Sequence, residues 1–286
     1  MRILFCTDGS KTSYNSISNF SMWVKDFSAE ILSVSDVTYL PDSVLFDGNK
    51  YLTECKNSTN SIIEYSQEYL TKENIKISGI HKLCGNAVDS ILETEQKKYY
   101  ECIVMGSNGK KGLQKWLGSV SQQVASASKS NVYISKSKQT AKNILLPITQ
   151  TPLSEDVIVN VIKNIDFSNA NVHLLNVYEM PEFLFLEGNI DSNWINDVER
   201  QQQKYALSNL IKVEKIFMQN NIKIENKTVI SGNPAEKILE YIILNGITLT
   251  VTGMRNRNAF SGILMSSVSR RILEYAQCDV LIIKEK

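Results

Sequence analysis

Histidine is almost missing from this chain. With only His81 and His173 among 286 residues, neither placed near a second ligand-type residue at zinc-finger or HExxH spacing, a dedicated transition-metal site lacks its ligands. Both histidines lie in strand-like runs, KISGIHKLCG and NVHLLNV, where an accommodated strand side chain accounts for them better than a serine- or cysteine-activating base. Charge of one sign is also lacking. Basic side chains number 31 and acidic ones 30, a formal net charge of +1, so no broad field draws the chain to a nucleic-acid backbone or an anionic bilayer. Long apolar runs are absent too. Nothing approaches the roughly 20 residues that cross a membrane, and MRILFCTDGS turns polar too soon for a signal peptide; it reads as a first strand. The five cysteines, Cys6, Cys55, Cys84, Cys102 and Cys278, are odd in number, scattered and without a CxxC pair, which fits buried or incidental thiols in a reducing compartment. A cytoplasmic location is the resulting expectation.

What the chain does contain is repetition. ILFCTDGSKTS from Ile3 resembles ILLPITQTPLS from Ile144, each a short apolar strand ending in a threonine-containing turn. CGNAVDSILETEQ from Cys84 recurs as SGNPAEKILEYII from Ser231, and ECIVMGSNG from Glu101 recurs as TLTVTGMRN from Thr248, aligning Gly106 with Gly253. SNVYISKSK from Ser130 and CDVLIIKEK from Cys278 close the two halves. The chain is a tandem duplication. Its seam falls in the polar stretch Lys136 to Lys142, read as a short linker, which divides residues 1–138 from 139–286.

Each half alternates two periodicities. Tyr14, Ile17, Phe20, Val24 and Phe27 share one face at spacings of three and four, predicting a helix over Ser10 to Phe27. Strand-like ILSVSDV, a helical segment carrying Leu52, Cys55, Ile62, Tyr65 and Tyr69, strand IKISGIHKL, a helix opened by Gly85-Asn86, strand CIVMG, a glycine-rich loop, a helical Ser119 to Lys129 and strand NVYIS follow in order. The second half repeats this with helices over Val157 to Ile165, Asn193 to Gln219 and Ala235 to Leu244. Five strands alternating with four helices require crossover connections. The expected fold class is therefore α/β: two tandem doubly wound domains, each with a five-stranded parallel sheet.

In such sheets ligands bind beyond the carboxyl ends of strands where the winding reverses. Two clusters sit there, Thr7-Asp8-Gly9 after the first strand and Met105 and Gly106 with Gly109, Gly118 and Ser119 after the fourth. The glycines permit tight turns and close approach of backbone to an anion, and Ser119 opens a helix whose free amides and dipole favour phosphate. Asp8 suits a ribose hydroxyl or a divalent ion such as Mg2+, while an Asp-Gly-Ser turn equally suits a helix cap. Lys110, Lys111 and Lys115 lie in the same loop, to steer phosphate or simply be solvated. Neither a Walker A motif nor GxGxxG follows a first strand.

The early strand ending at Asp8, the Gly85-Asn86 helix start and IVMGSNGKKGLQKWLGSVSQQV together resemble the universal stress protein domain, whose nucleotide-binding members carry G-x2-G-x9-G followed by Ser or Thr. The likeness spans the whole chain as two copies. It implies a Rossmann-like fold akin to the adenine nucleotide alpha hydrolases, ATP held between the first strand and the loop after the fourth, Asp8 near the ribose or metal, Val34 at the adenine wall, and Gly106, Gly109, Gly118, Ser119 and Val120 around the phosphates. One residue is missing from the pattern, because eight rather than nine separate Gly109 from Gly118. The second half departs further: Thr149 replaces the carboxylate, Asn256 the second glycine and Ser266 the third, while Arg255 and Arg257 offer only a degenerate anion loop. The resemblance implies a first half that binds ATP and a second half packed against it as an intrachain pseudo-dimer partner through the closing strands, Asn131 to Ser135 and Asp279 to Lys284, with a homodimer left open. The alternative is a nucleotide-free scaffold. An adenylating ligase would need an SGGxD-type loop that is absent, so at most weak intrinsic ATPase activity is expected.

Overall fold

Strand residues that alternate between two buried faces need cover on both, and the chain supplies it. The computed structural model describes residues 1–38, 48–108, 117–148, 155–181, 192–254 and 265–284. In the first half the elements are β1 (Arg2–Cys6), α1 (Lys11–Trp23), β2 (Ser28–Asp36), α2 (Gly48–Lys72), β3 (Lys76–Gly85), α3 (Ala87–Lys97), β4 (Cys102–Gly106), α4 (Ser119–Ala127) and β5 (Asn131–Ser135). In the second they are β6 (Asn143–Ile148), α5 (Glu155–Asn164), β7 (Asn171–Tyr178), α6 (Ser192–Gln219), β8 (Asn226–Ser231), α7 (Pro234–Leu244), β9 (Leu249–Met254), α8 (Ser267–Tyr275) and β10 (Asp279–Lys284). Ile3 and Phe5 pack with the face of α1, Leu4 and Cys6 with the opposite layer, and both layers run unbroken from one half into the other. Each fully buried side chain of this size contributes about 1.5–3 kcal/mol.

The strands form one sheet, ordered β3-β2-β1-β4-β5-β10-β9-β6-β7-β8. Within each half all pairings are parallel, and the two halves meet through the antiparallel pair β5–β10, in register Ile134 with Val280 and Val132 with Ile282. The two five-stranded sheets thus share their closing strands and continue as one. Winding reverses between β1 and β4, and again between β6 and β9.

Reciprocal contacts reinforce that junction. The Lys136 amide donates to Asp279 Oδ1 at 2.8 Å and the Lys284 amide to Asn131 Oδ1 at 3.0 Å. Each lysine also crosses to the other half: Lys136 Nζ donates to Leu273 O and Lys284 Nζ to Ala125 O, both at 2.6 Å, near the carboxyl ends of α8 and α4. Burial brings both ammonium groups down to about 8. Asp279 is wholly buried and accepts further bonds from Tyr133 Oη at 2.6 Å and Asn19 Nδ2 at 2.8 Å. The stretch expected to be a linker is accordingly tied down, with the Gln139 amide donating to Asn19 Oδ1 at 3.1 Å and Lys142 Nζ paired with Asp166 at 3.1 Å.

Two expectations are corrected. The first helix ends at Trp23, where Val24 turns extended, rather than at Phe27. Phe27 still meets Phe20 edge-on at 5.2 Å, so a residue outside the helix shares its apolar face and extends the apparent period. The scattered cysteines are also not all incidental. Cys55 in α2 and Cys84 near the end of β3 form a disulfide with a Cα–Cα separation of 6.2 Å, because α2 lies against β2 and β3. Cys6, Cys102 and Cys278 are free and buried, as read. Both histidines are partnered strand residues: His81 Nε2 meets Glu30 at 2.7 Å and His173 Nδ1 meets Tyr241 Oη at 3.1 Å.

Candidate functional site

β1 ends against the loop that leaves β4, and a hydrogen-bonded collar holds the two together. The Thr7 amide continues the pairing with Leu32 O at 2.9 Å, after which Gly9 takes a left-handed φ of 76° and the chain turns into α1. Asp8 Oδ1 accepts from the Ser10 amide at 3.0 Å, so the turn-forming role open to this carboxylate in the sequence is one that it fills. Ser10 caps α1 by accepting from the Ser13 amide at 3.3 Å. Thr12 Oγ1 donates to Asn108 O at 2.6 Å, and Gly118 N donates to Ser107 O at 2.7 Å. Ser121 Oγ closes the collar on Gly106 O at 2.8 Å.

Inside the collar, beyond the carboxyl ends of β1 and β4 where the winding reverses, lies a cavity of about 650 Å³. Asp8, Val34, Met105, Gly106, Gly118, Ser119 and Val120 all line it. The structure therefore brings together seven of the eight residues singled out in the sequence, while Gly109 lies outside the described residues, as do Lys110, Lys111 and Lys115. Val34 sits within β2, opposite Leu83. Sequence reasoning missed the cavity's other walls: Ser35 and Asp36 at the end of β2, Ser58 and Ile62 on α2, and Ala87 and Ile91 on α3. The strand-end rule that found Asp8 would have found Asp36. The apolar positions of α2, Ile62 among them, were legible in the sequence, but nothing in it indicated that polar Ser58 borders the cavity.

Both glycines stand where a Cβ would be crowded, the one on Gly118 by Ser107 O at 3.0 Å. A Cβ on Gly106 would stand 2.9 Å from the Ser13 amide nitrogen and 2.9 Å from the Thr12 carbonyl carbon, so its bareness admits the start of α1 against β4. This packing need stands beside its place in the cavity lining. Gly118 is the N-cap of α4 and provides no side-chain acceptor for the helix's first amides, whereas Ser10, Asn86, Asn233 and Ser266 do so for α1, α3, α7 and α8. Ser119, Val120 and Ser121, which follow it, line the cavity. An uncapped helix start at a cavity wall is a set of fixed donors at the positive end of the helix dipole. At the floor, burial and the charge of Glu95 push the Cys6 thiol far above its ordinary range, which leaves it un-ionised and non-nucleophilic. Among the described residues no group of three His, Cys, Asp or Glu side chains could hold a metal ion, and no helix is long and apolar enough to cross a membrane.

The corresponding helix start in the second half carries a side-chain cap. Ser266 Oγ accepts from the Ser269 amide at 3.0 Å, and Ser269 Oγ donates to Gly253 O at 3.2 Å, matching the Ser121 contact with Gly106. Thr149, Arg255, Asn256 and Arg257 lie outside the described residues.

The sequence profile described as the universal stress protein family matches residues 1–136 and again residues 140–284. The chain belongs to the universal stress protein family. It carries two copies of that family's domain in tandem. A universal stress protein of Methanocaldococcus jannaschii is 25% identical over 158 residues, 54% of this chain and 89% of the relative. One from Bacillus subtilis is 23% identical over 33% of this chain and 64% of its own length. The crystal structure of a universal stress protein from Archaeoglobus fulgidus superposes with a TM-score of 0.69 at 19% identity, covering 100% of this chain and 98% of that one. At that identity the likeness establishes the fold, and its coverage extends to the tandem arrangement of this universal stress protein.

Proposed function

We propose that this universal stress protein binds ATP in its first half, residues 1–138, and that the second half, residues 139–286, serves as a built-in partner domain without a nucleotide of its own. The family membership gives a stress-response role; the nucleotide and a regulatory, cytoplasmic setting are the finer reading. One observation carries it: the open start of α4, with Ser119 and Val120 at the wall of a cavity that Asp8 also borders. The residues present fit the ligand. Val34 and Met105 would flank the adenine, Asp8 would accept from a ribose hydroxyl or help hold Mg2+, and the amides after Gly118 would meet phosphate oxygens without desolvating a buried charge. The amides that follow Gly118 would hold the triphosphate of ATP, and Asp8, Val34 and Met105 would orient the rest of the nucleotide. The β5–β10 pair joins the partner half directly to that site, because β4, which ends at Gly106, is the neighbour of β5.

Isothermal titration of the full chain with ATP and Mg2+ tests the reading. Micromolar affinity at one site per chain is expected, with roughly hundredfold weaker binding for Gly118→Ser, in which the new hydroxyl takes an amide that would otherwise meet phosphate. No heat at millimolar ATP would instead favour the nucleotide-free scaffold. Sizing the same samples decides whether a second copy associates.

A further inference from the structure

The five cysteines divide into two chemical classes. Cys6, Cys102 and Cys278 are buried in the sheet, and burial raises their thiols so far that they stay protonated. Cys55 and Cys84 are joined, and they differ in access, with Cys55 buried and Cys84 exposed on the edge strand β3. Their position is specific. Ser58 and Ile62, the α2 residues that wall the cavity, follow Cys55 by about one and two helical turns. Ser35, another wall residue, donates through Oγ to Cys55 O at 3.3 Å and lies opposite Cys84 in the β2–β3 register. Ala87, which opens α3 at the cavity rim, comes three residues after Cys84. The disulfide thus staples one wall of the cavity to the sheet edge beside another.

The rest of α2 is fastened elsewhere. Buried Ile63 and Leu70, the Tyr14–Tyr65–Tyr69 cluster and the hydrogen bonds Tyr14–Ser66 and Ser18–Tyr69 hold its carboxyl-terminal part. The amino-terminal part is tied to the sheet by the disulfide, the Ser35 bond to Cys55 O and the exposed Lys82–Asn60 bond at 2.7 Å. Breaking the S–S bond therefore removes a covalent tie from the stretch that bears Ser58 while the carboxyl-terminal part of the helix stays anchored.

We propose that Cys55–Cys84 is a reversible redox latch on the cavity: oxidised, it holds the α2 wall in the binding arrangement; reduced, it frees that wall and weakens the nucleotide. This rests on the nucleotide reading of the cavity. In the opening step the thiolate of a dithiol reductant attacks Cys84 Sγ, the Cys55–Cys84 bond breaks, and Cys55 sulfur leaves as a thiolate that takes a proton from water. The reductant's second thiolate then attacks the mixed disulfide and releases Cys84, also protonated by water. Two electrons pass to the protein and the reductant leaves as its disulfide; a disulfide oxidant such as oxidised glutathione reverses both steps, ending as two thiols. In a reducing compartment such a bond is a signal more often than a staple.

The full chain is treated with oxidised glutathione or with a dithiol. Alkylation under denaturing conditions counts the thiols, and titration with ATP and Mg2+ reads the affinity. The expected oxidised form carries two fewer alkylatable thiols and binds ATP about fivefold tighter, a gain removed by reduction. Cys84→Ser, a change at an exposed position, should bind like the reduced protein under both treatments. Equal affinities in the two forms, or thiols that stay free under the oxidant, overturn the latch while leaving the nucleotide reading intact. If neither form binds ATP, the nucleotide reading is the one that fails, and amide exchange across Gly48–Lys72 then decides whether the staple acts: faster exchange on reduction upholds it, unchanged exchange overturns it.

Discussion

The helix after the fourth strand begins differently in the two halves. Around it almost everything corresponds: the strand order, the serine in the first turn that reaches back to the preceding strand's glycine, and a lysine at the end of the closing strand that crosses to the other domain. Yet α4 starts at bare Gly118 beside a cavity, while α8 starts at Ser266, whose hydroxyl occupies its own helix's amide. In a fold shared by duplication, one side chain thus decides whether an amide of the helix's first turn is already taken. A second contrast points the same way. Glu30 and His173 occupy the same register position, opposite Leu4 and Leu145, and both are buried. The first is an ionised carboxylate ringed by His81, Lys98 and Tyr100, and the second is an imidazole that burial keeps below its ordinary value.

The largest effect that would break the symmetry lies at the junction. Asp279→Ala should destabilise the chain by about 3–5 kcal/mol, because the buried donors of Tyr133, Asn19 and Lys136 lose their acceptor. Asn131→Ala, its counterpart, loses one bond and should cost about 1 kcal/mol. Urea denaturation of the two variants measures the difference, and equal losses would mean that the junction is balanced rather than centred on Asp279.

Acid separates the halves next. Burial alone would raise Glu30, but the bonds from His81, Lys98 and Tyr100 outweigh it and hold the carboxyl at about 2. A depressed carboxylate stabilises fully above its unfolded value of 4.5 and loses that contribution as pH falls toward 2, here about 3 kcal/mol. His173 has the same sign at a higher pH: its contribution is complete above 6.5 and wanes as the buried ring is forced to protonate. Amide exchange followed from pH 7 to pH 3 should therefore show β7 and β8 loosening before β2 and β3. The reverse order would show that something other than this pair of residues governs acid stability.

The smallest effect is at the cap. Ser266→Ala should lower stability by about 1 kcal/mol, read as a shift of the urea midpoint, and should leave ATP titration unchanged. A change in nucleotide affinity would place a ligand in the second half as well.

Much of the fold was legible because it is written twice. ILFCT and ILLPI, the Gly-Asn turns of Gly85-Asn86 and Gly232-Asn233, and CIVMG against TLTVTG give the alternation, and alternation with crossovers leaves few topologies. Site residues that follow strands were legible for the same reason, since strand ends at a winding reversal converge. The walls donated by α2 and α3 were not, because Ser58, Ile62 and Ile91 look in sequence like any polar or apolar helical positions. The end of α1 misled because Phe27 keeps the helical period while belonging to the turn that follows.

The sequence by itself determined that this chain is two copies of one α/β unit, and which copy kept its glycines, because periodicity and spacing are local properties of a chain. Only the tertiary structure decided that the copies fuse into one ten-stranded sheet, that Gly106 clears room for α1, and that Cys55 meets Cys84 across an intervening 29-residue separation. Those outcomes depend on which surfaces face each other after crossover, and a distance between residues remote in sequence is set by packing, not by spacing.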